Sequence, residues 1–373
     1  MKVKVVYIIS QINKALSFEW TAELIDKKKI ELSFILLKNG DSDLEKYLLS
    51  KEFKVKRINY RNKTDIPKAI LYTSIFLLKE RPQIVHTHLF DANIVGLLSA
   101  KLCGIKKRIY TRHHSSYHHD YFPRVVKYDK LCNNLSTTII AITNIVKDIL
   151  EEKEKVSKDK IRLIHHGFKL SCFRDVPAQE IDDLRGKYLS IGFYPVIGVI
   201  SRYTEWKGVQ YIIPAFKKLL VVYPKAKLIL ANATGDYTSE VKELLSSIPS
   251  ENYVEIKFEN NLFALYRLFD LFVHVPINKY AEAFGQTYIE SLISEVPLIA
   301  TKSGIGNELL EDRINSIIVD YENSEAIYEA MLDVLGNEDL RKNIIEKGKK
   351  KVENEFNIAR MIDILENLYL EPL

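Results

Sequence analysis

Short apolar runs alternate along the chain with longer stretches whose apolar positions recur at helical spacing. Such alternation predicts parallel β-sheets flanked by helices. In the first half, strands are expected near Val3–Ile9, Leu32–Leu37, Val55–Ile58, Ile84–Thr87, Arg108–Thr111 and Thr138–Ile142. The second half repeats the pattern near Val196–Ser201, Lys227–Ala231, Val254–Phe258, Leu271–Val275, Leu298–Ala300 and Ser316–Val319. Between them, Phe173 to Tyr188 is polar, contains Pro177 and reads as a linker. The class expected is α/β, with two doubly wound, Rossmann-like domains facing a cleft: one over residues 1–175, one over 190–355. A last helix, within 356–373, shows its spacing in Ile358, Met361, Ile362, Ile364, Leu365 and Leu368. In doubly wound sheets, ligands bind outside the carboxyl ends of the strands.

The chemistry concentrates at two such ends. Glu282-Ala-Phe-Gly-Gln-Thr-Tyr-Ile-Glu290 follows the apolar run Asp270–Pro276 and opens a helical segment, Gln286 to Ser294. Free amides at a helix start bind anions, and Gly285 permits close backbone approach. Two carboxylates suit hydroxyls rather than phosphate, so a phosphorylated sugar such as a nucleotide-sugar is the ligand this loop predicts. Glu290 lies one turn into a segment where Tyr288, Ile289 and Leu292 read as buried, and a buried carboxylate needs a partner. Upstream, the strand Pro195–Ser201 runs through Arg202 and Lys207-Gly208 into a helix, Gly208 to Leu220. Arginine offers a planar two-pronged contact to phosphate oxygens and lysine a mobile point charge.

With these segments the chain resembles the family 4 retaining glycosyltransferases, which have the two-domain GT-B fold and use nucleotide-sugars. The resemblance extends through Pro82–His88, Arg108–His113, Ile139–Thr143, Ile161–Gly167, Val296–Gly304 and Asn307-Glu308. It implies that Arg202 and Lys207 hold the donor diphosphate and that Glu290 binds the ribose hydroxyls. Glu282 would take a hydroxyl of the transferred sugar, the backbone of Phe284, Gly285, Gln286 and Thr287 would line sugar and phosphate, and His113 would stand beside the reacting centre. In that family the first domain faces the acceptor, the second binds the donor, and the last helix crosses back onto the first domain. UDP is the carrier the resemblance suggests, with no cofactor and no metal. The chain departs from its relatives in the loop after the first strand, where Ser10-Gln-Ile-Asn-Lys14 lacks the usual glycine pair.

Charge adds a partner. Residues 1–200 carry 35 Lys and Arg against 22 Asp and Glu, whereas the whole chain is only +5. A basic first half fits an anionic partner, either a phosphate-bearing, lipid-linked acceptor or an anionic membrane surface. Nucleic acid is excluded as a class, because no reading module accompanies the scattered lysines. Eight of the nine histidines precede residue 170. None sits in a metal-protease spacing, which leaves His113, with His88 or His114, as hydrogen-bonding groups around the site. Three scattered cysteines suit a reducing cytosol, and no apolar run approaches a bilayer span. The expected enzyme is cytoplasmic, with the inner membrane face as the alternative location, and transfers a hexosyl unit to an acceptor hydroxyl in polysaccharide or glycolipid assembly. A nucleotide-sugar epimerase, a sugar phosphorylase or a catalytically silent donor-binding relative are the alternatives the same residues allow.

Overall fold

The structure is a computed structural model and describes residues 2–372. It contains two compact α/β units, one running to Phe168 and resuming at Phe356, the other Lys169–Glu355.

The first unit is built on β1 (Val3–Ser10), β2 (Ile30–Leu37), β3 (Lys54–Ile58), β4 (Ile84–His88), β5 (Lys107–Arg112), β6 (Thr138–Ala141) and β7 (Ile161–Leu163). They form one parallel sheet in the order β3-β2-β1-β4-β5-β6-β7. Helices cover both faces of such sheets, so central strands are buried on both sides. β1 is buried from Val5 onward and β4 along its whole length, whereas the edge strands β3 and β7 are largely exposed. The hydrophobic pattern did not single out β7 because only Ile161 of it is buried; its pairing to β6 defines it. Strand order reverses between β1 and β4, which opens a crevice at their carboxyl ends. The loop after β1 keeps a left-handed residue although it lacks glycine: Gln11 has φ 55°. Its amide donates to the Leu37 carbonyl at 3.0 Å.

The second unit repeats the plan with β8 (Val196–Ile200), β9 (Lys227–Ala231), β10 (Tyr253–Ile256), β11 (Leu271–His274), β12 (Leu298–Ala300) and β13 (Ile317–Ile318). Their order is β10-β9-β8-β11-β12-β13, again parallel, with the reversal between β8 and β11.

Two segments depart from, or extend, what the sequence pattern showed. The stretch read as a linker contains a helix, Ala178–Tyr188, docked in the second unit with Leu184 buried. Its side chains hold it there: Tyr188 donates to Glu259 at 2.5 Å and Glu180 accepts from Asn261 at 2.5 Å. One buried apolar residue in eleven positions is too weak a stripe for periodicity to register. After Glu355 the chain rejoins the first unit. The helix Ile358–Leu370 adds Leu365, Leu368 and Tyr369 to the same core cluster as Val5, Tyr7 and Ile109. Lys107 Nζ donates to the carbonyls of Leu368 at 2.5 Å and Glu371 at 2.7 Å, and Glu366 accepts from the Asp26 amide at 2.6 Å.

Candidate functional site

Three strand-to-helix loops of the second unit, after β8, β11 and β12, are tied together by their backbones. Gly208, at φ 74°, lies so close to the next loop that a Cβ there would stand 1.9 Å from the Val275 carbonyl oxygen. The Ile277 amide donates to the Trp206 carbonyl at 3.1 Å, and the Ile305 amide to the Phe284 carbonyl at 2.8 Å. Gly285, at φ 87°, precedes the helix Gln286–Ile293.

Glu282 is the centre of this arrangement. Its Oε1 accepts from Lys207 Nζ at 2.5 Å and from His274 Nε2 at 3.0 Å, and its amide donates to Ser303 Oγ at 2.9 Å. Burial alone would push the carboxyl up, but Lys207 and His274 overcome it and hold it at about 2. His274 is itself pushed down by burial, against the pull of Glu282, so the ring is neutral at pH 7 and its Nε2–H is the donor. That tautomer leaves His274 Nδ1 buried with no partner among the described residues, and the same holds for Thr204 Oγ1 and Thr287 Oγ1. Native folds rarely tolerate such groups without a ligand or water to meet them.

The residues singled out by sequence divide accordingly. Lys207 and Glu282 are in direct contact, and Gln286 and Thr287 form the first turn of the helix behind Gly285. The Phe284 side chain is buried and its carbonyl serves Ile305. Arg202 is exposed, on the loop that carries Lys207, and its guanidinium makes no salt bridge among the described residues. Glu290 lies one turn further on and pairs elsewhere, accepting from Tyr266 Oη at 2.8 Å. Burial raises its carboxyl to about 7, with the Tyr266 hydroxyl opposing. Sequence reasoning missed His274, Tyr266 and Ser303. The one available signal was a histidine interrupting an apolar strand at its carboxyl end.

His113 belongs to the first unit. It lines a pocket there with His88, His166, Phe18, Ile142 and Met361, at the ends of β4 and β5. His88 Nδ1 and His113 Nε2 are 3.3 Å apart, and the His113 ring stacks on His166 at 5.6 Å. Burial and the neighbouring imidazoles of His166, His86 and His114 keep His113 well below the usual histidine range. His86 is structural: it bridges Tyr369 Oη at 2.6 Å and Thr111 Oγ1 at 2.8 Å. His114, His118 and Asp129 bring ligand atoms within 4.8 Å of one another, in the manner of a metal site. The Asp129 carboxylate is already engaged, however, by the fully buried Arg112 at 3.3 Å and by both imidazoles, at 3.2 and 2.7 Å. Asp129 is part of the carboxylate shell that neutralises a buried guanidinium, completed by Glu154 at 2.6 Å from Arg112.

Comparison with known proteins matches both halves of the chain. The family described as "Glycosyltransferase Family 4" matches residues 21–171 and "Glycosyl transferases group 1" matches residues 180–351. The capsular polysaccharide biosynthesis glycosyltransferase CapM of Staphylococcus aureus is 25% identical over 311 residues, 81% of this chain and 80% of CapM. An Escherichia coli UDP-Gal:alpha-D-GlcNAc-diphosphoundecaprenol alpha-1,3-galactosyltransferase is 22% identical, over 82% of this chain and 79% of its own. Among solved structures, Anabaena Alr3699/HepE in complex with UDP and glucose superposes with a TM-score of 0.82 at 17% identity, covering 98% of this chain and 99% of that one. This likeness shows the fold. Taken with the two family matches, it identifies the chain as a glycosyltransferase of family 4, with the GT-B fold.

Proposed function

We propose that this glycosyltransferase moves a hexosyl unit from a nucleotide-sugar, UDP being the expected carrier, to an acceptor hydroxyl with retention at the anomeric carbon and without a metal. The observation that carries the reading is the Lys207–Glu282–His274 cluster at the strand ends of the second unit, beside the open amides behind Gly285. Departure of the nucleoside diphosphate is the step that needs help, because negative charge grows on the leaving oxygen. Lys207, the exposed Arg202 and the amides of Gln286 and Thr287 form the cationic and dipolar set that meets it. Each charge-assisted bond is worth about 1.5–3 kcal/mol. Glu282, ionised by its two partners, is assigned to a hydroxyl of the transferred sugar and Glu290 to the ribose hydroxyls. His113 is assigned a polar contact to substrate from the rim of its own pocket.

The relatives support the pathway class. One is named for capsular polysaccharide biosynthesis, and another for a UDP-galactose donor and a diphosphoundecaprenol-linked acceptor. A lipid-linked diphosphate acceptor at the cytoplasmic membrane face fits the basic first half of this chain. Among the described residues no helix is long and apolar enough to cross a membrane, so such contact would be peripheral.

Titration calorimetry against UDP, GDP and ADP tests the donor site. One nucleotide should bind, with affinity lost in Lys207→Ala and Glu290→Ala; flat traces for all three with folded protein would sink the reading. Turnover of the corresponding nucleotide-sugar should be unaffected by a chelator, and a loss restored by added divalent cation would refute metal independence.

A further inference from the structure

Glu282 takes both of its side-chain contacts on one oxygen. Lys207 Nζ at 2.5 Å and His274 Nε2 at 3.0 Å both reach Oε1, and Oε2 accepts from no group among the described residues. The backbone beneath is fixed as well. Its amide donates to Ser303 Oγ at 2.9 Å, and a Cβ at Gly304 would stand 2.9 Å from the Glu282 Cβ. A carboxylate anchored at its backbone and through Oε1 presents Oε2 in one direction, and Oε2 is the oxygen left for a ligand hydroxyl.

The two donors to Oε1 are not equivalent. Lys207 lies on the loop after β8 with its side chain 21% exposed, a point charge on a flexible stem. The diphosphate of a bound donor competes for it, and an ammonium turned to those oxygens loosens its hold on Glu282. His274 has no such freedom. Its carbonyl accepts from the Thr301 amide at 3.3 Å, and its buried ring meets Tyr288 edge to face at 4.8 Å. Tyr288 is fixed in turn by donating to the Thr301 carbonyl at 2.9 Å. The imidazole is thus locked by the sheet and the helix behind it, independently of Lys207.

We propose that His274 is a positioning residue for the transfer: its Nε2–H holds Glu282 Oε1 while Lys207 turns to the nucleoside diphosphate, so that Oε2 stays aimed at a hydroxyl of the transferred sugar. The role rests on the donor-site reading above and adds the residue that keeps the sugar contact once the lysine is drawn away. Lys207, His274 and Tyr288 are the titratable groups that face Glu282. Tyr288 stays protonated, because burial and the Glu282 carboxylate hold its hydroxyl well above the usual range. Burial pushes the Glu282 carboxyl up, and with Lys207 withdrawn the His274 hydrogen bond is what opposes it. Without His274, the carboxyl takes up a proton at a higher pH and no longer accepts from the sugar.

The test is titration calorimetry with UDP, UDP-glucose and UDP-galactose on wild type, His274→Phe and His274→Gln, at about pH 6 and about pH 8. Phenylalanine keeps a ring and removes the donor, whereas the glutamine amide restores an N–H. Affinity for each sugar conjugate is read relative to UDP, which cancels the titration of Glu290, common to all three ligands. The wild-type ratio should be the same at both pH values. His274→Phe should leave UDP affinity within about twofold but lower the ratio for the conjugate that wild type binds tighter by about tenfold, and further in acid. His274→Gln should recover most of that loss. Equal weakening of UDP and conjugate, a loss indifferent to pH, or a glutamine variant no better than phenylalanine overturns the role and leaves His274 a packing residue. Imidazole nitrogen NMR of the wild type decides the matter should the variants not fold. The Nε2–H tautomer with a bare Nδ1 is expected both free and with UDP bound, and a switch to Nδ1–H in the UDP complex overturns the role. Wild type that binds neither UDP nor a conjugate removes the donor-site reading and this role with it; UDP binding with a ratio untouched in His274→Phe removes the role alone.

Discussion

Glu282 and Glu290 sit on one short segment, both buried, yet their carboxyls are driven in opposite directions. Glu282 has Lys207 and His274 against it and is held at about 2, whereas Glu290, with the Tyr266 hydroxyl as its one partner among the described residues, rises to about 7. The consequences for stability have opposite signs. Glu282 contributes stability above the ordinary glutamate range and loses it as pH falls toward 2. Glu290 is favoured in its protonated form, so its contribution is present below the ordinary range and is lost as pH rises through 7. Glu290→Gln should therefore raise the free energy of unfolding in urea by about 2–3 kcal/mol at alkaline pH. At mildly acidic pH it should change little; an equal gain at both would contradict the assignment. Glu282→Gln should do the reverse, destabilising at neutral pH because it strands Lys207 beside an uncharged amide, with the deficit closing in acid. If Glu290 binds ribose hydroxyls, UDP affinity should also rise as pH passes 7 in the wild type and stay flat in Glu290→Gln. The carboxylates and Lys207 were legible in the sequence because loop, glycine and charge recur in a recognisable spacing. His274 was not, since one imidazole in an apolar strand carries no signal until Glu282 is seen 3.0 Å away.

At the scale of elements, the second unit depends on how closely its loops approach. Gly208→Ala puts a Cβ 1.9 Å from the Val275 carbonyl oxygen and forces a left-handed residue, so the two loops must separate. We expect a loss of more than about 3 kcal/mol, or failure to fold, with nucleotide binding abolished. Gly336, the last residue of the helix Ser324–Gly336, has nothing within 4 Å of a Cβ. Gly336→Ala should be neutral or stabilise by up to about 1 kcal/mol. Thermal melts of the two variants compare them directly; equal melting temperatures would show that the loop contact is soft. Most strands were visible as apolar runs because central parallel strands are buried on both faces. β7 and the helix Ala178–Tyr188 were not, because each buries too little apolar surface to leave a pattern and is held by pairing or by side-chain hydrogen bonds.

For the whole molecule, the first unit is assembled from two stretches far apart in sequence. Tyr369 Oη lies 2.6 Å from both Tyr7 Oη and His86 Nδ1, and Lys107 donates to the carbonyls at the end of the same helix. Deleting residues 356–373 would open that core and leave Lys107 buried without acceptors. Limited proteolysis of the deletion variant should cut the first unit rapidly while the second unit survives; an unaltered first unit would show the returning helix to be dispensable.

By itself the sequence determined the α/β class, the two parallel sheets and the loops that bear Arg202, Lys207, Glu282 and Glu290. These follow from local periodicity and from short motifs whose residues act within a few positions of one another. Only the tertiary structure decided which charges meet. The Lys207–Glu282 pair spans 75 residues, and Arg112–Glu154 and His86–Tyr369 span 42 and 283. Such contacts arise from the sheet order and the returning helix, and nothing in local spacing encodes them.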